Sequence, residues 1–140
     1  MLAIPPLDTY ISFNFQLKDA LYLMKWNTYA YPNQDQLDNI IFTAEKMDEI
    51  FDLFEGKKVV NHSWFRTQCY NEFIGSTSTL SQHTQGKAND FHIDGVSCDD
   101  VREKLTPLLD KLNIRMENNK GKNWVHIDTK IIKPGEARLF

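Results

Sequence analysis

Leu37, Ile40, Ile41, Ala44, Met47, Ile50, Phe51 and Phe54 recur at the i, i+3, i+4, i+7 spacing of a helix over about five turns. An amphipathic helix of that length must bury one face, so the remaining chain has to supply the surface that covers it. The chain is 140 residues long, which at roughly 100–200 residues per domain reads as one domain spanning residues 1–140. No internal repeat and no low-complexity linker interrupts it. A composition of 41% hydrophobic and 25% charged residues is that of an ordinary globular core with a solvated surface.

The other elements are shorter. Pro5-Pro6 opposes helix, so residues 1–13 read as extended. Leu17, Ala20, Leu21 and Met24 predict a helix over Leu17–Trp26, and Tyr31-Pro32-Asn33 breaks the chain before the long helix. Lys57 to His62 reads as a strand, Thr67 to Ile74 as a short helix, the polar residues 76–87 as a loop, and Ala88 to Ile93 as a strand. Ser97 suits the N-cap of a helix carrying Val101, Leu105, Leu108, Leu109 and Leu112, which Pro107 bends or splits. Ile114–Glu117 and Asn123–Asp128 predict a hairpin around Asn118-Asn119-Lys120-Gly121. The fold class is α+β, a small antiparallel sheet with helices drawn mainly from the N-terminal half.

A net charge of −3 carries no basic footprint for nucleic acid or an anionic membrane surface. No stretch approaches the ~20 apolar residues of a membrane span. The N-terminus lacks the basic and apolar regions of a signal peptide, so synthesis in the cytoplasm is expected. Cys69 and Cys98 form no C-x-x-C pair and read as buried small apolar residues.

Chemistry concentrates around two histidines. Ser81-Gln82-His83-Thr84-Gln85-Gly86-Lys87-Ala88-Asn89-Asp90 places an imidazole at the end of a polar loop and a carboxylate seven residues later in a strand. His126 lies in a second strand-like run beside Trp124 and Asp128. Two imidazoles and one carboxylate suit zinc and leave a fourth position open, as a catalytic site requires.

The string Ser81-x-His83-x-x-Gly86-x-Ala88-x-Asp90-Phe91, followed by Trp124-Val125-His126-Ile127-Asp128, resembles the zinc D-alanyl-D-alanine carboxypeptidases. Their superfamily also holds D,D-dipeptidases, phage L-alanyl-D-glutamate endolysins and the hedgehog signalling domain. Ser63-Trp64-Phe65-Arg66 with Asn71 and Gly75 is similar to the family's strand-then-arginine segment, so the resemblance covers roughly residues 10–130. It implies a hedgehog/DD-peptidase-like fold and one zinc ion held by His83, Asp90 and His126. It also implies hydrolysis of peptidoglycan stem peptides, with a water on the zinc as nucleophile.

Arg66 matches the arginine that pairs with substrate and steadies the oxyanion; the alternative is an ion pair at the start of a helix. Ser81 is a candidate substrate contact or an ordinary loop hydroxyl. Trp124 is a candidate wall of the substrate pocket. His92, sharing the face of Asp90, and Asp128, two residues after His126, are candidates to orient a ligand or carry protons, with a solvent-facing histidine and a strand end as the alternatives.

The family usually places a glutamate or aspartate three residues before the last histidine ligand as general base, and here that position is Asn123. Glu117 is the candidate replacement: a turn centred on Lys120-Gly121 sets it opposite Trp124, on the zinc side of the hairpin. The alternatives are an exposed hairpin glutamate and, for the whole chain, a catalytically silent zinc domain that binds cell wall or a protein partner. A monomer acting on the cell wall after phage lysis, or from a virion, fits a peptidase without a leader.

Overall fold

The computed structural model describes residues 3–76 and 81–140. Part of the loop expected over 76–87, residues 77–80, and the first two residues of the N-terminal segment lie outside the described residues.

Residues 10–16 bend back on themselves, with Tyr10 bridging to Gln16, rather than running extended. Helix α1 spans only Leu17–Leu21. Strand β1 (Tyr22–Leu23) follows, and a 3-10 turn over Met24–Trp26 returns the chain as β2 (Thr28–Tyr29). The helix predicted through Trp26 stops early because aromatic contacts favour the hairpin. The Tyr22 and Tyr29 rings lie 5.6 Å apart across it, and Trp26 sits edge-on to Tyr70 at 4.9 Å. Asn27, at φ 46°, makes the reversal.

Helix α2 spans Gln34–Leu53. Asn33 caps it by accepting from the Gln36 amide at 2.8 Å while Gln36 Oε1 accepts from the Asn33 amide at 2.8 Å. Its stripe, Ile40, Ala44, Met47 and Ile50, is fully buried. Strand β3 (Val59–Ser63), helix α3 (Gln68–Phe73) and a 3-10 turn over Gln82–Gln85 lead to β4 (Ala88–Ile93). Ser97 caps α4 (Cys98–Leu105), and Pro107 sits in a 3-10 turn that divides it from α5 (Leu109–Leu112). The cysteines are not both buried as expected: Cys69 is exposed on α3 and Cys98 is half-buried in the first turn of α4. Strands β5 (Arg115–Met116) and β6 (Val125–Asp128) close the main sheet, which is antiparallel in the order β3-β4-β6-β5.

The sheet has two unlike faces, as alternation requires. Phe91, Ile93, Met116, Val125 and Ile127 are buried and join the α2 stripe in one hydrophobic cluster. The alternate positions Asp90, His92, Arg115, Glu117, His126 and Asp128 share the other face. Mixed helix and antiparallel sheet make the fold α+β. Among the described residues, no helix is long and apolar enough to cross a membrane.

Candidate metal centre

The turn that carries His83 is built by its own sequence and gripped by α2. Ser81 Oγ accepts from the His83 amide at 3.3 Å, and Ser81 O accepts from Thr84 Oγ1 at 2.7 Å. From α2, Gln36 Nε2 donates to Thr84 O at 3.0 Å, Asn39 Nδ2 to Gln85 O at 2.8 Å, and Thr43 Oγ1 to Gly86 O at 3.2 Å. Gly86, at φ +77°, lies so close to the helix that an added Cβ would meet Gln36 O at 2.6 Å. Only glycine tolerates both the left-handed backbone and that approach.

His83 donates from Nδ1 to the carbonyl of buried Trp64 at 2.7 Å, which fixes the tautomer and leaves Nε2 facing Asp90 Oδ2 at 3.3 Å. Asp90 and His126 are cross-strand partners, with His126 Nδ1 at 2.8 Å from Asp90 Oδ1. One ligand atom from each of His83, Asp90 and His126 lies within 4.8 Å of the others. Metal–ligand bonds of about 2.0–2.1 Å at tetrahedral angles put neighbouring ligand atoms about 3.3 Å apart. The His83–Asp90 separation of 3.3 Å matches that and the His126–Asp90 separation of 2.8 Å is shorter, so the three residues fit zinc in donor type and lie near enough to close on one ion.

Two further residues hold this trio in place. His126 Nε2 lies 3.1 Å from Asp128 Oδ2, and Arg115 clamps the buried Asp128 carboxylate from Nε and Nη2 at 2.8 and 2.7 Å. A ligand imidazole whose second nitrogen meets a carboxylate is held in orientation and made more basic. Arg66 reaches Asp90 Oδ2 from Nη2 at 3.2 Å, with Nε on Ser63 Oγ and Nη1 on Asn71 Oδ1. Arg66 stands directly before Thr67, the N-cap of α3, and its ion pair runs from there into the cluster.

The electrostatics follow from these contacts. Burial pushes the Asp90 carboxyl upward, but the imidazoles of His83 and His126 more than offset it and hold it well below the usual carboxylate range. Burial lowers His83. His126 is also opposed by burial, yet its hydrogen bonds to Asp128 and Asp90 raise it to about 9. In the metal-free protein the proton of the site therefore resides on His126, between two carboxylates.

Glu117 lies opposite His126, not opposite Trp124. The ladder pairs Arg115 with Asp128 and Met116 with Ile127, and the Glu117 amide donates to His126 O at 3.1 Å. The connection is longer than a tight turn because α4 braces it. Arg102 donates to the carbonyls of Lys122 and Trp124 at 3.1 and 2.8 Å, and Asp99 accepts from the Gly121 amide at 3.0 Å. The shift is two residues, so Glu117 keeps its face. It is half-buried and lines a cavity of about 490 Å³ with Ser81, Arg115, His126, Lys130 and Phe140.

Trp124 is 37% exposed and is not among the residues lining that cavity. His92 bonds to His62 and Asp94 rather than to the trio. Asn123 lines a different cavity together with His62 and His92. Sequence reasoning missed Arg115, although its place two residues before Glu117, on a strand paired to Asp128, was available as a signal. It also missed a partner for His62.

A family model described as peptidase M15 matches residues 16–128. The chain belongs to the M15 peptidase family. The matched region contains Arg66, His83, Asp90, Glu117, His126 and Asp128, so the whole trio and its supporting residues fall inside the M15 domain. M15 peptidases are zinc-dependent, and the His-Asp-His cluster is where this M15 chain could hold the ion. Among curated proteins and among solved structures, none matches the chain.

Proposed function

We propose that this M15 peptidase uses zinc at His83, Asp90 and His126 to hydrolyse peptidoglycan stem peptides, in the manner of D-alanyl-D-alanine carboxypeptidases. The observation that carries the reading is Glu117 opposite His126, in a cavity whose wall includes His126. Zinc bound there supplies Lewis acidity that polarises a peptide carbonyl and acidifies water to a pKa of about 7.

The chain's own residues supply the rest. The Glu117 carboxylate takes the proton from the attacking water and returns it to the leaving amine. Among the described residues, three of the five N–H groups of Arg66 are engaged by Ser63, Asn71 and Asp90, which leaves two for a substrate carboxylate or the developing oxyanion. Ser81, on the cavity wall, is placed to touch the peptide. Asp128 and Arg115 hold the His126 ring still throughout. Phage lysis or carriage on a virion would bring the enzyme to the wall.

The test is digestion of purified peptidoglycan by the zinc-loaded protein, with released peptides identified by mass spectrometry. Release that stops with a chelator and returns with zinc is expected. A zinc-loaded protein that releases nothing from peptidoglycan or from synthetic stem peptides would replace this reading with a binding domain, the alternative to which Asn123 points.

A further inference from the structure

The polar face of the sheet does not end at the trio. A second cavity, of about 480 Å³, lies further along β4 and is lined by His62, His92, Ser97, Cys98, Lys122 and Asn123. His62 reaches it through an irregularity in β3. Asn61 pairs with Phe91 and Ser63 with Asp90, so His62 is an extra residue between consecutive ladder partners. Such a bulge sacrifices a ladder position and re-aims a side chain, a device common beside active sites.

The re-aimed ring meets His92, with His62 Nε2 2.6 Å from His92 Nδ1. On its other side, His92 Nε2 lies 3.2 Å from Asp94 Oδ1. A carboxylate can only accept, so His92 donates from Nε2 and its Nδ1 accepts. His62 must then donate from Nε2, which leaves His62 Nδ1 as an acceptor. Among the described residues, nothing donates to it. The chain from Asp94 thus leaves one acceptor nitrogen on His62, a residue that lines the second cavity.

Asp90 and His92 share a face of β4, and Asp90 pairs with His126 while Ala88 pairs with Asp128. The first cavity, containing His126 and Asp128, lies toward the Ala88 end of β4. The second, containing His92, lies toward the Ile93 end. Asp90 lies between these two positions on β4, paired with His126.

We propose that the two cavities are the two arms of one substrate cleft, and that His62 is a substrate-binding residue of the second arm, accepting a hydrogen bond from an amide N–H or ammonium group of the peptide. This rests on the peptidase reading of the site. It extends the carboxypeptidase-like reading to an enzyme that holds its substrate on both sides of the scissile bond and also cuts within a chain.

The experiment uses the full zinc-loaded chain and a stem peptide with at least two residues on each side of the scissile bond, together with versions truncated to one residue on either side. His62→Phe keeps an aromatic ring at the position and removes both nitrogens; retained zinc binding reports that the variant is folded. His62→Phe should lower kcat/KM on the long peptide by about five- to tenfold through KM, as expected for one lost hydrogen bond. One truncation should cost a similar factor, and the two losses should not add. Equal turnover of long and truncated peptides, or additive losses, would overturn the proposal. If the wild type turns over none of them, the peptidase reading fails, and calorimetric binding of the long peptide decides the role of His62. Binding weakened about five- to tenfold in His62→Phe supports it; equal affinity, or no binding by the wild type, overturns it.

Discussion

His126 Nδ1 and Arg66 Nη2 approach Asp90 at 2.8 and 3.2 Å, with the unprotonated Nε2 of His83 3.3 Å away, so without metal the site is held together by a proton and a guanidinium. Zinc has to displace that proton. His126, raised to about 9, is protonated throughout the neutral range, while His83 is lowered and carries none. Apparent zinc affinity should therefore rise by about tenfold per pH unit up to about pH 9, with about one proton released per ion bound. Chelator-competition titrations between pH 6.5 and 8.5, roughly the span in which a single proton governs the slope, would check it, and a flat profile would contradict it.

Glu117→Gln should leave zinc affinity intact and lower kcat by about 10²- to 10⁴-fold, the usual worth of a general base. Wild-type turnover in that variant would remove Glu117 from the mechanism. His83, Asp90 and His126, which the fold brings together, were picked out in the sequence by the family motif, because their spacing alone is a loose pattern. Arg115 and the His62–His92 pair were not, because each depends on which residues face each other across strands. The bulge that turns His62 inward leaves no mark in residue type.

At the level of elements, α2 does more than fill the core. Gln36, Asn39 and Thr43 on its polar edge hold three consecutive carbonyls of the turn that presents His83. Gly86→Ala forces a Cβ into Gln36 O and a non-glycine residue into the left-handed region. It should cost roughly 2–4 kcal/mol of stability and weaken zinc binding by displacing the turn. Thermal denaturation and zinc titration of the variant would measure both, and a variant as stable as the wild type would contradict the grip described here. The long amphipathic stripe predicted α2 well, since burial of one face sets its period. The helix expected through Trp26 was cut short by aromatic pairing across a hairpin, a tertiary preference that outweighs a weak local one. The β5–β6 register moved because Arg102 and Asp99 on α4 organise the intervening loop, and no local turn signal encodes a brace from another element.

Across the whole molecule, the α+β architecture reduces to one sheet with an apolar face against the helices and a polar face that carries the chemistry. Function follows from that asymmetry: strand alternation puts Asp90, His126, Asp128, Arg115 and Glu117 on the same side. The loop gripped by α2 brings His83 over them. Alternation and the long stripe were readable in advance, as was the family motif; the second cavity emerges only once β3, β4 and the loop before β6 are assembled.

The claim on which the account rests is that one zinc ion is held by His83, Asp90 and His126. Native mass spectrometry of the protein purified with zinc, beside His83→Ala, Asp90→Ala and His126→Ala, tests it most directly. The expected result is one ion per chain in the wild type, lost in each variant while circular dichroism shows the fold retained. A wild type that takes up no zinc, or three variants that each keep theirs, would contradict it.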